Sequence, residues 1–390
     1  MSEILLKDGL SALIDHRGKT PAKLGSEFVD VGIPVLSAIL VTEGRVEWES
    51  ARYVTQEIFE RWMPNKIRKG DILLTSEAPL GRVARVNRDG PVVLGQRLFA
   101  LRSDPLKLDQ AFLYYSLLSE TVQQRILNHG TGSTVVGIRQ PALLSVSIPA
   151  PELAEQRAIA EVLGALDDKI AANQQSSHLA LRLAILSVPT GMPKIRLGAV
   201  TAYNRSSINP DGVQEPRVKH YSLPAFDASK VPTTESPLNI KSSKVLLLNP
   251  VVLLSKLNPR TPRIWEVPSI DGICLASGEF LALEPIGFST SALWAVLSQK
   301  EVTRALEERV SGTSGSHQRV LPNDVLALEI HDPNEMSDSL RDLIGASTAL
   351  SHSLSVENTE LSRLRDTLLP ALMSGKLRVK DAERAVEDVL

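Results

Sequence analysis

The chain has 390 residues and a formal net charge of −2, with 43% hydrophobic and 23% charged residues. This composition is typical of a globular protein with two or three domains, and it excludes collagen-like and low-complexity classes. The single cysteine, Cys274, excludes an intrachain disulfide framework and a multi-cysteine zinc site, and it fits a reducing compartment. The small net charge argues weakly against a nucleic-acid partner, because phosphates favour basic surfaces.

The hydropathy pattern predicts a cytoplasmic protein. The first 19 residues mix acids and bases among leucines, unlike a secretory signal peptide. The longest apolar run, Val245–Leu254, is interrupted by Asn249-Pro250, and it is far shorter than the ~20 residues of a membrane-spanning helix. We therefore expect neither secretion nor membrane insertion.

The sequence divides into two similar halves. The segment GTGSTVVGIRQPALLSVSIPAP at Gly130 matches GTSGSHQRVLPNDVLALEIHDP at Gly312, and both end in proline-bounded apolar strands. RLFAL at Arg97 is matched by EFLAL at Glu279, and a third pair, GDILLTS and NPVVLLS, precedes these in each half. Three matches in the same order indicate an internal duplication.

Each half begins with short strands and loops and ends in one long helix. The predicted fold is α+β, with two globular mixed α/β domains joined by two long antiparallel coiled-coil helices in a pseudo-twofold repeat. The predicted boundaries are 1–150 for the first domain, 151–190 for the first helix, 191–333 for the second domain, 334–377 for the second helix and 378–390 for a carboxy-terminal tail.

Both helices carry apolar residues in heptad spacing, which is typical of a coiled-coil seam. Polar residues such as Asn173 and Glu357 occupy the middle of each seam, where they can fix the register of pairing. The alternative is a pair of solvated, imperfect helices. The residues predicted to pair the helices are Ile159, Leu163, Leu166, Ile170, Leu343, Leu350, Leu354, Leu361 and Leu364.

Paired helices of this length would form a rigid spacer. At a rise of 1.5 Å per residue, a helix of about 30 residues spans about 45 Å.

The sequence lacks the motifs of a catalytic site. Arg17-Gly18-Lys19-Thr20 resembles the end of a phosphate-binding loop, but Leu13 replaces its first glycine and Pro21 opposes the required helix. Neither metal-ligand spacing nor a GxSxG elbow nor a dinucleotide fingerprint is present, so we expect no metal and no cofactor. Asp167 and Asp168 are adjacent on a helix, so their side chains diverge and predict a solvated face.

Basic and polar loop residues remain, and their chemistry suits DNA. Arginine can bond a guanine edge with two donors, lysine offers a point charge to phosphate, and asparagine can pair with adenine. The alternative for each residue is an ordinary solvated side chain. The candidate DNA-binding residues are Arg17, Lys19, Arg82, Arg85, Ser133, Thr134, Arg139, Lys256, Asn258, Arg260, Arg263, Ser316, His317 and Arg319.

These features together resemble the DNA-specificity subunit of type I restriction-modification systems. IPAPELAEQRAIAEVLGALDDKIAANQQ, from Ile148, and ENTELSRLRDTLLPALMSGKL, from Glu357, are similar to that family's central and carboxy-terminal conserved regions. YSLPAFDASKVP at Tyr221 and LLSKLNPRTPRIWEV at Leu253 are similar to segments of its target-recognition domains. The resemblance therefore covers nearly the whole chain.

The resemblance implies a role in DNA recognition without catalysis. Each globular half would read one half of a split site in double-stranded DNA, while the helices set the gap and dock two methyltransferase subunits. S-adenosylmethionine is then expected on those partners, and restriction or translocase subunits are further potential partners. Two alternatives stay open: a coiled-coil adaptor that binds only proteins, and an enzyme with an unrecognised site.

Overall fold

The computed structural model describes residues 2–42, 44–132, 134–310 and 318–389. The chain divides into two compact units. The first unit is Met1–Lys169 with Leu361–Leu390, and the second unit is Ile170–Glu360. Because a long helix runs from each unit into the other, both units draw on both helices. The domain boundaries given above stay a prediction.

The first unit contains two small sheets and a two-stranded ladder. Its strands are β1 Glu3–Leu5, β2 Leu10–Ile14, β3 Ile33–Leu36, β4 Arg52–Val54, β5 Ile72–Thr75, β6 Val83–Arg85, β7 Val93–Leu94, β8 Leu98–Ser103 and β9 Ser147–Pro149. Its helices are α1 Leu6–Gly9, α2 Gln56–Trp62, α3 Gln110–Leu118, α4 Glu120–Asn128 and α5 Gln140–Leu144, followed by α6 Leu153–Leu186, which continues into the second unit.

The second unit repeats this series. Its strands are β10 Lys194–Arg196, β11 Thr201–Asn204, β12 Ser207–Ile208, β13 Val218–Tyr221, β14 Thr233–Glu235, β15 Lys244–Leu247, β16 Val251–Ser255, β17 Ile264–Val267, β18 Cys274–Ser277, β19 Phe280–Pro285 and β20 Glu329–His331. Its helices are α7 Leu197–Val200, α8 Leu223–Ala228, α9 Thr290–Leu297, α10 Lys300–Glu308 and α11 Pro322–Leu326; α12 Asp338–Met373 and α13 Val379–Glu387 follow.

Sheet topology confirms the internal duplication. The antiparallel sheet β2-β8-β5-β6 of the first unit has the same strand order as β11-β19-β16-β17 of the second. The parallel pair β3–β7, flanked by β4, corresponds to the parallel pair β13–β18, flanked by β14. The first strand of each half also pairs with its last strand, β1 with β9 and β10 with β20. The three sequence matches fall on equivalent strands of this repeat.

The strand β16, with the sequence VVLLS, is apolar along almost its whole length because both of its faces are buried. All five residues of β16 are buried, and alternate side chains enter two different clusters. Val252 and Leu254 pack in a cluster with α9, whereas Val251 and Leu253 pack with Trp265. Because both faces of this sheet are covered, neither face needs polar residues.

The two long helices pack against each other within each unit. In the second unit, the Oγ atoms of Ser177 and Ser351 lie 2.7 Å apart, and Ala184 shares a core cluster with Ile344. Residue numbers increase along α6 while those of the neighbouring residues on α12 decrease, so the two helices are antiparallel there. The predicted fold class is confirmed. The helix α13 lies in the segment predicted to be a carboxy-terminal tail without secondary structure.

The seam of α6 follows the predicted heptads, but that of α12 is shifted. Ile159, Leu163, Leu166 and Ile170 are buried, as is Leu361, while Leu354 and Leu364 are half-buried. Leu343 and Leu350, which are predicted to pair the helices, are 40% and 48% exposed. The next residues, Ile344 and Ser351, are buried instead. Successive residues of an α-helix lie about 100° apart around its axis, so the face of α12 that buries Ile344 and Ser351 leaves Leu343 and Leu350 toward solvent.

Neighbouring residues of α12 test this seam. Ile344→Ala should lower the free energy of unfolding by about 2–5 kcal/mol, because it leaves a cavity in a closed core. Leu343→Ala is the matched control, and it should change stability by about 0.5 kcal/mol or less. Denaturant unfolding of both variants measures the difference, and equal losses would contradict the shifted seam.

An ionic anchor joins α6 to α3 and α12 in the first unit. The prediction that Asp167 and Asp168 form a solvated face is wrong for Asp167. Its carboxylate accepts hydrogen bonds from Tyr115 Oη at 2.7 Å and from Arg365 Nη1 at 2.8 Å. Burial, reinforced by the neighbouring Asp167 charge, raises the pKa of the Tyr115 phenol. Asp168 is exposed, in agreement with the prediction.

Replacing each aspartate by asparagine separates these two roles. Asp167→Asn should lower the free energy of unfolding by about 1–3 kcal/mol, because a half-buried arginine loses its charged acceptor. Asp168→Asn should have an effect within about 0.5 kcal/mol. Thermal unfolding at matched pH measures both, and an unaffected Asp167→Asn variant would argue against the anchor.

Candidate nucleic-acid interface

In the second unit, two predicted DNA-binding segments form one surface. The loop between β16 and β17 holds Lys256, Asn258 and Arg260, and the backbone of residues 318–320 lies beside it. The Val320 amide donates to the Lys256 carbonyl at 3.0 Å, and the Asn258 amide donates to the Gln318 carbonyl at 3.1 Å. The loop bends at Asn258, whose φ of 52° lies in the left-handed region that asparagine tolerates.

The first unit has the equivalent arrangement. The loop between β5 and β6 lies beside residues 131–138, and the Ile138 amide donates to the Ser76 carbonyl at 2.9 Å. Thr131 and Gly137 also exchange two backbone hydrogen bonds. A Cβ atom on Gly137 would lie 3.1 Å from the Ser76 oxygen, so glycine permits this close approach. The structure thus brings Arg82 onto a loop beside the segment that carries Thr134.

Two predicted arginines already have their donors engaged within the protein. Arg17 bonds both oxygens of Asp15 and lies 4.1 Å from the centre of the Phe99 ring. Arg263 bonds both oxygens of Asp227, at 2.6 and 2.8 Å. A planar guanidinium that holds a carboxylate with two bonds has little capacity left for a base edge. We therefore expect Arg17 and Arg263 to position their loops.

Three further predicted residues are also bound by the fold. Arg85 stacks on Tyr114, with its guanidinium carbon 4.4 Å from the ring centre. Lys19 donates to the Trp62 carbonyl at 2.8 Å. Arg319 donates to Glu279 at 2.9 Å.

The exposed predicted residues are the better candidates for contact. Arg82, Thr134, Arg139, Asn258 and Arg260 are exposed, and Lys256 is half-buried. Arginine and asparagine on exposed loops suit base edges, whereas a hydroxyl suits phosphate. Three further predicted residues, Ser133, Ser316 and His317, lie outside the described residues.

Sequence reasoning missed a set of arginines supported by aromatic rings. Three exposed arginines have their guanidinium carbons 3.7–5.0 Å from a ring centre: Arg52 on Phe28, Arg88 on Trp48 and Arg205 on Tyr203. Such pairs hold a cation in place at a surface, which favours a phosphate contact. The two-residue spacing of Tyr203 and Arg205 was a usable sequence signal. Trp48 and Arg88 are too far apart in sequence to give one.

Searches for a metal site and a membrane span found neither in the described part of the chain. Within it, no group of three or more His, Cys, Asp or Glu side chains could hold a metal ion. Among those same residues, no helix combines the length and apolar character needed to cross a bilayer.

The amino-terminal half matches a known domain family. Residues 11–179 match the family model of the type I restriction modification DNA specificity domain. This range begins in β2 and ends inside α6, so it contains both sheets of the first unit. The resemblance predicted from the sequence is confirmed over this range.

Curated relatives share part of the chain. The type I restriction enzyme MjaVIII specificity subunit of Methanocaldococcus jannaschii is 32% identical over 152 residues, which make up 37% of this chain and 35% of that protein. The type I restriction enzyme EcoBI specificity subunit of Escherichia coli is 25% identical over 183 residues, or 46% and 38% of the two chains. The chain therefore spans about a third of the length of these curated relatives.

A solved structure shares the fold. The S subunit of the type I restriction-modification system from M. genitalium has a TM-score of 0.55 and 18% sequence identity, and the likeness covers 95% of each chain. At this identity the likeness concerns the fold alone, which includes the second half of this chain.

Proposed function

We propose that this chain is the specificity subunit of a type I restriction-modification complex, because residues 11–179 match the family model of the type I restriction modification DNA specificity domain. Each half reads one half of a bipartite site in double-stranded DNA. The duplicated loop-and-segment surface carries this proposal, because the same backbone pairing recurs at Ile138 with Ser76 and at Val320 with Lys256. Two copies of one DNA-binding surface suit a bipartite DNA site.

The partners and the chemistry follow from the same proposal. Two methyltransferase subunits dock on the helices and bind S-adenosylmethionine, and restriction or translocase subunits join the same complex. This chain binds no cofactor and catalyses no reaction. The complex acts on DNA in the cytoplasm, which agrees with the single cysteine of the sequence.

Exposed leucines support docking on α6. Leu179, Leu183 and Leu186 are 49–74% exposed and lie at helical spacing on one face of α6. Exposed apolar stripes of this kind mark protein-binding surfaces. The same stripe would serve the alternative function, a coiled-coil adaptor that binds only proteins.

Methylome sequencing tests the proposal as a whole. Cells with the intact gene should carry methylation at a split motif, and deletion of the chain should abolish methylation at that motif alone. The adaptor function would be supported by two observations together. The chain would assemble with its partners, and its deletion would leave methylation at every motif unchanged.

Arg260 should contribute to recognition of its half-site. Arg260→Ala should reduce discrimination against a mismatched half-site by about 1–3 kcal/mol if the guanidinium bonds a base edge. The reconstituted complex is titrated with matched and mismatched duplexes at fixed salt. Arg304→Ala, an exposed arginine of α10, is the matched control and should leave discrimination unchanged.

The helices should set the distance between the two half-sites. At 1.5 Å per residue, the 34 residues of α6 span about 51 Å. Inserting seven residues into each helix, after Ile170 and after Glu360, adds about 10.5 Å, or about three base pairs. The methylated motif should then keep both halves and gain about three base pairs between them.

The control for this insertion is the same seven residues placed in α6 alone. That variant mismatches the seam and should lose methylation altogether. If the complex with insertions in both helices still methylates the motif with its original spacing, the helices do not set the distance between the half-sites.

A further inference from the structure

The second unit contains a cavity that the proposed recognition of DNA does not use. Its volume is about 210 Å³, below the ~300–1,000 Å³ of ordinary ligand pockets. It lies between α12, β17 and the helices of the second unit. Its lining includes two acid–base side chains, one lysine and three aromatic rings: Glu266, His352, Lys230, Phe226, Trp265 and Trp294.

Glu266 is a buried acid with one unsatisfied oxygen. The residue is 5% exposed, and its Oε1 accepts a hydrogen bond from Thr290 Oγ1 at 2.7 Å. Its Oε2 has no hydrogen-bond partner. His352 Nε2 lies 3.8 Å from this oxygen, which is too far for a hydrogen bond. A buried carboxylate oxygen without a donor is costly, so the site favours a ligand that supplies one.

His352 does not neutralise this acid at neutral pH. Burial lowers the pKa of the imidazole below its ordinary value, and the Lys230 charge lowers it further, against the opposing pull of Glu266. A neutral imidazole can accept or donate one hydrogen bond at each nitrogen. The side chain is one-third exposed, so it can turn to admit a ligand beside Glu266.

The remaining walls combine aromatic rings with the hydroxyl groups of Ser298, Thr303, Ser351 and Ser355. Phe226 and Trp265 contact each other edge to face, with ring centres 5.6 Å apart. The indole nitrogen of Trp294 donates to the Ile264 carbonyl, so Trp294 contributes ring surface rather than a free donor. Lys230 Nζ lies 5.4 Å from the Phe226 ring centre and adds one cation. Aromatic rings together with polar groups suit a planar ring that carries donors and acceptors on its edge.

We propose that this cavity binds a free nucleobase or nucleoside, whose ring contacts the aromatic walls and whose amino group donates to Glu266. A simple aliphatic amine would satisfy Glu266 but leave the aromatic walls without a matching surface. Lys230 offers a donor to a carbonyl oxygen of the base. The lining includes Pro262 of the loop between β16 and β17 but not Arg260, so binding in the cavity can fail while the proposed function holds.

Isothermal titration calorimetry on the full chain tests the proposal. Adenosine, cytidine, guanosine and uridine are titrated separately, and at least one should bind saturably with a Kd of about 1 mM or tighter. Glu266→Gln should weaken that binding about tenfold or more, because a charged acceptor becomes neutral. Glu161→Gln in the first unit is the matched control and should bind as the parent does.

A second variant guards against loss of the fold. Ser298→Leu places a larger side chain in the cavity lining and should abolish binding, with a melting temperature that shows the chain still folded. Heat from none of the four nucleosides, or equal binding by the parent and Glu266→Gln, would overturn the proposal. Binding only to a single-stranded oligonucleotide and not to any free nucleoside would overturn it as well.

Discussion

The backbone ladder that closes each half is the constraint on which the other features depend. β1 pairs with β9, and β10 pairs with β20, so each half ends beside the strand with which it began. A long helix follows the ladder in both cases, α6 from Leu153 and α12 from Asp338. Because each ladder fixes where its helix begins, duplication of the half also duplicated the helix. The second helix then provided the surface on which the first could bury its apolar stripe.

In each unit, backbone hydrogen bonds hold the loop and the neighbouring segment together. The Ile138–Ser76 and Val320–Lys256 hydrogen bonds join main-chain atoms and do not depend on the residue types beside them. Side chains such as Arg260 can therefore change without disturbing the sheets beneath. The arginines that hold carboxylates, Arg17 and Arg263, act on the scaffold instead.

Burial of charge has two different outcomes in the two units. In the first unit, Asp167 gains a tyrosine hydroxyl and an arginine, so its charge stabilises the junction of α6 with α3 and α12. In the second unit, Glu266 gains only Thr290, and His352 stays too far away to bond. Asp167, whose carboxylate has hydrogen-bond donors, stabilises the fold. Glu266 has one carboxylate oxygen without a donor beside a cavity, which is why we propose a ligand there.

The sequence by itself determined the duplication, the fold class and the α6 seam, because these depend on local periodicity and on similarity between distant segments. Tertiary structure alone decided the partners of individual side chains. Asp167 and Arg365 are 198 positions apart, so no local pattern could pair them. The choice of Ile344 over Leu343 needed the tertiary packing, since successive residues of a helix lie about 100° apart and only one of the two faces the core.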